Sequence, residues 1–167
     1  VRKTNWFAIW VSIAVVVVLI VVGWLVVWMN NSSAGPGDAP QGAIVNSETG
    51  AITVGSGPDT VTTWFDFYCP HCQDFEAAYG PTVDGLLQDG SITLELQPVA
   101  LAGLNTASGT DFSARSGSAL YCVAEENGDA VMPFFDALFA TNPTGPGQNN
   151  EELAQMAADA GAPGAAD

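Results

Sequence analysis

Residues Trp64-Phe65-Asp66-Phe67-Tyr68-Cys69-Pro70-His71-Cys72-Gln73-Asp74-Phe75-Glu76 constrain the architecture of this chain more tightly than any other stretch. The apolar run predicts a strand, the Cys-x-x-Cys a tight turn, and the residues after Cys72 a helix. Cys69 then stands at the helix N-terminus. Unpaired backbone N–H groups and the helix dipole there favour a thiolate over a thiol. Pro70 suits the first helical position, because its missing N–H would have had no partner. His71 can carry positive charge beside the sulfur and favour the thiolate further. Such a sulfur attacks well and leaves well in disulfide exchange. Two blander readings stay open. Cys-x-x-Cys is half of a zinc site, but zinc wants four ligands, and only Cys122 and His71 remain. A purely structural disulfide would close so short a loop that it constrains the unfolded chain little. Strand before and helix after favour redox chemistry, with no metal and no cofactor expected.

Phe65 to Cys72, followed by Phe75-Glu76, resembles the active site of the DsbA-type thiol–disulfide oxidoreductases of the thioredoxin superfamily. The Cys-Pro-His-Cys tetrapeptide carries the likeness, since thioredoxins proper usually have Gly-Pro between the cysteines. The likeness extends over about Ile44 to Gly161. It implies an α/β, thioredoxin-like fold with a helical insert. It implies Cys69 and Cys72 as the redox pair, with Pro70 and His71 tuning them. It also implies thiol-bearing substrate proteins and a membrane quinone-linked partner that reoxidises the pair. One position departs from the pattern. Many relatives carry a buried acid six residues before the first cysteine, where this chain has Thr63. Asp66, three before, matches an acid common in DsbA-like sequences; it is a candidate proton relay or a cap on the active-site loop.

The N-terminal part reads differently. Trp6 to Met29 is 24 residues without a charge. As a helix it spans ~36 Å, enough for a hydrocarbon core of ~30 Å. Trp6 and Trp10 near one end and Trp24 and Trp28 near the other suit the two interfaces. Arg2 and Lys3 predict a cytoplasmic N-terminus over residues 1–5 and an exported domain in the cell (inner or plasma) membrane. A cleaved signal peptide is the alternative, with Ser32-Ser33-Ala34 as the cleavage site, but signal cores are usually ~7–15 residues. Residues 30–42 read as a flexible Gly/Pro/Ser linker, and 43–167 as the thioredoxin-like domain.

Charge narrows the partners. The chain holds 3 Lys and Arg against 18 Asp and Glu. Arg115 is the one Lys or Arg beyond the apolar run, so nucleic acid is not expected as a partner. The acids read mainly as a solvated face, and Arg115 as an ion pair with Asp111.

Within the domain, Ala43–Asn46 and Ala51–Val54 flank a turn and predict a hairpin or extended approach. Thr60 to Phe67 predicts the central strand, apolar on both faces and so covered on both. Pro70 to Gln88 predicts a helix broken or kinked at Gly80-Pro81. Its buried side would carry Phe75, Tyr79, Val83, Leu86 and Leu87, and Trp64 and Phe75 read as core rather than groove. Ser91 to Val99 alternates as a parallel strand. After a loop at 102–109, three helical stripes form an insert over about 110–161.

Nothing after Phe139 reads as a strand, whereas a thioredoxin-type sheet needs a later hairpin and a closing helix. The resemblance therefore implies that the C-terminal hairpin and helix are missing from the chain, and that Cys122 pairs with a cysteine further on. The competing view is a short protein with a trimmed sheet and a free, buried Cys122. A second function, of another class, also fits the layout. The domain would be an accessory subunit docking on a membrane respiratory supercomplex, its partners the subunits of that complex.

Overall fold

The computed structural model describes residues 6–32, 42 and 44–165. The cytoplasmic assignment of 1–5, with Arg2 and Lys3, and linker residues 33–41 lie outside the described residues. The chain divides into two compact units, 1–39 and 40–167.

Among its described residues the first unit contains one helix, α1, Trp6–Ser32, 27 residues long. It runs three residues past the predicted end at Met29, into residues with the composition of a linker. Its described side chains are exposed on every side, from Trp6 and Trp10 through the valines to Leu25. Among the described residues no helix is long and apolar enough to cross a membrane; the backbone helix itself covers the whole Trp6–Ser32 span.

The second unit is built on a three-stranded sheet. Asn46 organises the approach, its Oδ1 accepting from the N–H groups of Glu48 and Thr49. The turn ends on Gly50 at φ 73°, a left-handed conformation that glycine adopts without strain. Val45 bridges Ile52, and strand β1 runs over Ile52–Gly55. Strand β2 is Asp59–Phe65 and strand β3 is Ile92–Pro98. The order is β1-β3-β2, with β1 antiparallel and β2 parallel to β3. The register sets Asp59 opposite Ile92 and Phe65 opposite Pro98. Between β2 and β3 the chain crosses over through helix α2, Pro70–Gln88, as a parallel pair requires.

The β3 alternation behaves as predicted: Ile92, Leu94 and Leu96 are all buried. The prediction for β2 is corrected. β3 is the middle strand and β2 lies at an edge of the sheet, so its outer flank has no neighbouring strand among the described residues. Trp64 is consequently 65% exposed and Phe75, on the adjoining helix, 52%. Tyr79, Leu86 and Val61 are exposed as well. The buried-side assignment for α2 therefore holds only in part, through half-buried Val83 and Leu87.

Helix α2 continues through Pro81 to Gln88, although a proline removes one N–H from the ladder. Gly80 matters there for space: the Glu76 carboxylate occupies the place a Cβ at that position would need.

The predicted loop at 102–109 is instead a two-turn helix, α3, Ala102–Ser108, stopped by Gly109 at φ 70°. Helices α4 (Phe112–Glu126), α5 (Val131–Ala140) and α6 (Asn150–Ala160) match the three predicted stripes. A capping box of Asn149 and Glu152 starts α6, and Gly161 ends it in the left-handed region. Among the described residues no strand comes after β3.

The core joins the inner face of β2 and β3 to α4, α5 and α6. Phe65 and Phe67 meet Phe135 and Phe139 from α5, with ring centroids 5.0 Å apart for Phe65–Phe135 and 4.8 Å for Phe67–Phe139. Leu96, Leu120, Val123, Phe134 and Leu138 close the remainder. Such aromatic contacts add ~0.5–1.5 kcal/mol per pair beyond the area they bury.

Arg115 corrects another expectation. It makes no ion pair with Asp111 among the described residues. Its Nε donates to the Thr110 carbonyl and its Nη1 to the Gln148 carbonyl and the Asn150 side chain. Asp111 accepts from Asn105 instead. The guanidinium clamps the α5–α6 loop with its fork of donors, while Asp111, the N-cap of α4 at φ 53°, has an oxygen on Asn105.

Candidate active site

The active-site turn comes directly after β2. Cys69 is the N-cap of α2, in extended conformation with φ −78° and ψ 117°, and Pro70 occupies the first turn. The chain reverses at this point because the Cys69 N–H donates to the Asp66 carbonyl at 2.9 Å. The Cys69 carbonyl then accepts from Gln73 N at 3.0 Å, opening the helical ladder. Cys69 and Cys72 are each half-buried, whereas Pro70 and His71 are exposed. Every predicted site residue thus falls on one turn.

The two cysteines have different surroundings. Burial pushes the Cys72 thiol above its ordinary range, partly offset by a hydrogen bond from the Asp66 backbone; the hydrogen bond and charge of Cys69, and the Asp66 carboxylate, push it higher. Cys69 lies one turn nearer the helix end, where the backbone N–H groups are unpaired. The asymmetry is that of an attacking sulfur and a resolving sulfur.

Asp66 is 1% exposed. One carboxylate oxygen accepts from Tyr68 N at 2.9 Å and the other from Leu101 N at 3.0 Å. Both oxygens are thereby engaged in fastening the active-site turn to the segment after β3. This geometry is that of the loop cap, one of the two roles the sequence left open.

Four hydrogen bonds could not be read from the motif. The Gln73 side chain donates to the Phe67 carbonyl at 2.9 Å and to the Pro143 carbonyl at 3.2 Å. The Tyr68 hydroxyl donates to the Gly145 carbonyl at 2.8 Å. Leu101 supplies the N–H for Asp66. The α5–α6 loop, which Arg115 holds from its far end, is so tied to the turn that carries the cysteines. Only tertiary folding brings residues some 70 positions apart together, so no local signal marks them.

Beside the turn lies a cavity of about 270 Å³, bounded by Thr63 and Trp64 from β2, His71, Cys72 and Glu76 from α2, and Phe139 from α5. Thr63, which stands where relatives carry a buried acid, faces this cavity. Glu76 is the carboxylate on its wall. Desolvation raises Glu76 to about 7, helped by the charges of Asp136 and Asp84. The motif alone gives Glu76 no role; its i,i+4 spacing from Cys72 is the signal that places both on one helix face.

Cys122 lies apart, on α4. It is exposed, not buried, and lines a second cavity with Arg115, Leu153 and Ala157. The expectation of a buried thiol is corrected, because the α4–α6 groove stays open above it.

A thioredoxin family model matches residues 49–166. Among solved structures, oxidised DsbA of Mycobacterium tuberculosis is 32% identical, with a TM-score of 0.62 over 70% of this chain and 66% of that one. Reduced DsbG of the same organism is also 32% identical, with a TM-score of 0.62 over 81% and 66%. MdbA, a thiol–disulfide oxidoreductase from Actinomyces oris, is 26% identical, with a TM-score of 0.60 over 79% and 65%. The chain spans about two thirds of the length of these structures. No curated protein matches. With a Cys-x-x-Cys at the head of α2, the crossover to a parallel β3 and a family match over most of its length, the chain belongs to the thioredoxin family, and the solved structures it resembles are DsbA-like.

Proposed function

We propose that this protein is a membrane-anchored thiol–disulfide oxidoreductase that donates disulfides to thiol-bearing proteins outside the cytoplasm. The observation that carries the reading is the placement of Cys69 as N-cap of α2 with Cys72 half-buried behind it. In the oxidised protein a substrate thiolate attacks the Cys69 sulfur. The Cys69–Cys72 bond breaks, its electron pair goes to Cys72, and a mixed disulfide forms on Cys69. A second substrate thiolate attacks the substrate sulfur of that mixed disulfide. Cys69 leaves as a thiolate, favoured by the helix end, and the substrate keeps the new disulfide. A stable leaving thiolate makes the pair an oxidant. A membrane quinone-linked partner, which takes the two electrons back, completes the cycle in this reading.

Alkylation tests the chemistry. In the reduced protein Cys72, whose thiol burial pushes up, is expected to react with iodoacetamide at least about tenfold more slowly than Cys69, as mass spectrometry of the peptide would show. Equal, slow labelling of both thiols would remove the chemical basis of the proposal.

The support for anchoring is the uncharged helix α1. The uncharged run Trp6 to Met29 within it, 24 residues, corresponds to ~36 Å as a helix, against ~30 Å for a hydrocarbon core. Arg2 and Lys3 before it place the N-terminus inside by the positive-inside rule. Protease added to intact spheroplasts is expected to remove the thioredoxin domain from the membrane fraction. A fully protected domain would overturn both the topology and the oxidising-compartment argument.

A further inference from the structure

We infer that the junction of α2 and α5, directly behind the redox turn, is a pH-sensitive clasp, firm while Glu76 and Asp136 carry protons and loosened as both ionise. The inference stands apart from the proposed disulfide exchange, since it concerns the hold on α2 and not the chemistry of the cysteines. The two helices pack on each other, and a cavity of about 300 Å³ lies between them. Glu76 and Asp84 border it from α2 and Asp136 from α5. The Glu76 carboxylate lies over Gly80, in the place a Cβ there would need. Ala77, Pro81 and Phe139 supply apolar wall. All three acids are half-buried. Packing of the helices thus draws three carboxyl groups together where water solvates them only in part.

No Lys or Arg lines the cavity to offset them. Arg115, the only one in residues 43–167, has its donors on Thr110, Gln148 and Asn150. The other polar side chains on the wall are Gln73 and Asn142, which do not titrate. Toward β1, Asp84 and Asp136 border a further cavity with Val54, Met132 and Pro133, none of them titratable. Toward the active site, Glu76 borders the smaller cavity with His71 and Cys72, neither of which is among the groups that shift it. Desolvation, then the charges of Asp136 and Asp84, raise Glu76 to about 7. Desolvation and the Asp84 charge raise Asp136 to about 6.

Unfolding returns both carboxyls to water, where they release their protons at about 4. Between about 4 and about 7 the folded protein therefore holds protons that the unfolded chain has lost. This contribution to stability is fully present below about 4 and is lost as pH rises through about 6 and then about 7. Gln73 lines the same cavity and ties α2 to the Phe67 and Pro143 carbonyls. A mildly acid medium thus holds the active-site helix and the α5–α6 loop most firmly.

The test is urea unfolding of the oxidised full chain in detergent, followed by far-UV circular dichroism between pH 5 and pH 8. Oxidation takes the ionisation of Cys69 and Cys72 out of the measurement. The unfolding constant of the unaltered protein is expected to rise about tenfold over that range, a figure discounted for the partial exposure of both acids. Glu76→Gln should remove most of the rise. Asp136→Asn should remove part of it and move the remainder to lower pH, because one repelling charge on Glu76 is gone. Glu48→Gln, in the exposed turn before β1, also takes away one charge and should leave the rise as it is. The unaltered rise in all three variants would mean diffuse repulsion across an acidic surface, and a flat or falling constant would mean no linked protons; either overturns the clasp. Titration of the side-chain carboxyls by carbon-13 NMR needs no variant to fold: midpoints for Glu76 and Asp136 near the ordinary ~4 overturn it equally. None of these outcomes touches the oxidoreductase reading, which alkylation decides.

Discussion

Replacing Cys72 by Ser is expected to trap Cys69 in mixed disulfides with substrate proteins, and replacing Cys69 by Ser to abolish exchange altogether. The two effects differ because the two sulfurs differ in position. Cys69 is the N-cap of α2, at the end of the helix where N–H groups point outward. A substrate sulfur bonded to Cys69 is normally released when Cys72, half-buried one turn on, displaces it, or when a second substrate thiol does. In this variant the adduct forms when the Cys69 thiolate attacks a substrate disulfide and expels one of its sulfurs as a thiolate; a serine hydroxyl at 72 cannot then displace the bound sulfur at neutral pH, so one release route disappears and the adduct accumulates. The loss of steady-state activity should reach about a thousandfold or more for Cys69→Ser, because loss of a nucleophile that works as part of a unit has effects of that order or larger. No other described thiol sits at the turn; Cys122 lines a different cavity. Non-reducing gels of envelope extracts, then mass spectrometry of the bands, would read the adducts. Substrate-linked bands from Cys72→Ser that vanish in the Cys69→Ser, Cys72→Ser double variant bear the reading out; none in either variant would remove protein thiols as substrates.

Phe67→Ala should cost the most stability of any single change near the site, about 3–5 kcal/mol by the usual range for a buried aromatic truncation. Phe67 is 1% exposed. Its ring meets Phe65 at 5.1 Å, Phe135 at 5.8 Å and Phe139 at 4.8 Å. Rings from two sides border the space an alanine would leave, and α5 cannot close it without drawing in the α5–α6 loop. Against the ~5–15 kcal/mol typical of a whole domain, that loss is a large fraction. Urea unfolding monitored by far-UV circular dichroism measures it. The same change should weaken the site, because the Phe67 carbonyl holds the Gln73 side chain. A loss below about 1 kcal/mol would mean that the aromatic cluster is not the packed centre of the domain.

Much of this architecture was written locally. The strand–Cys-x-x-Cys–helix stretch appears where its residues dictate, with Pro70 in the first turn and Cys69 as the cap. The β3 alternation of Ile92, Leu94 and Leu96 is a period-two pattern that needs no partner to be recognised. The stripes of α4, α5 and α6 arise from spacing in the same way. The contribution of a neighbouring element could not be read locally. Trp64 and Phe75 have the composition of core residues, yet hydrophobicity cannot say which strand lies at an edge, and the edge position of β2 leaves both exposed. Arg115 had a carboxylate four residues away, but the carbonyls of Thr110 and Gln148 take its donors instead, and Gln148, 33 positions on, arrives only with folding.

The site divides along the same line. That Cys69 and Cys72 share a turn, with His71 between them, is a property of four consecutive residues and comes from covalent spacing alone. That Asp66 fastens the turn to the segment after β3 depends on Leu101, which reaches it only when β3 pairs with β2. That Glu76 shares a cavity with Cys72 depends on α5, whose Phe135 and Phe139 close one wall and whose Asp136 sets the charge on the far side. Backbone geometry acts between residues adjacent in sequence, so the chain determined its own redox turn. Burial and charge depend on what packs alongside from elsewhere, so the tertiary structure alone decided that Leu101 holds Asp66 and that Glu76 is desolvated near Asp136.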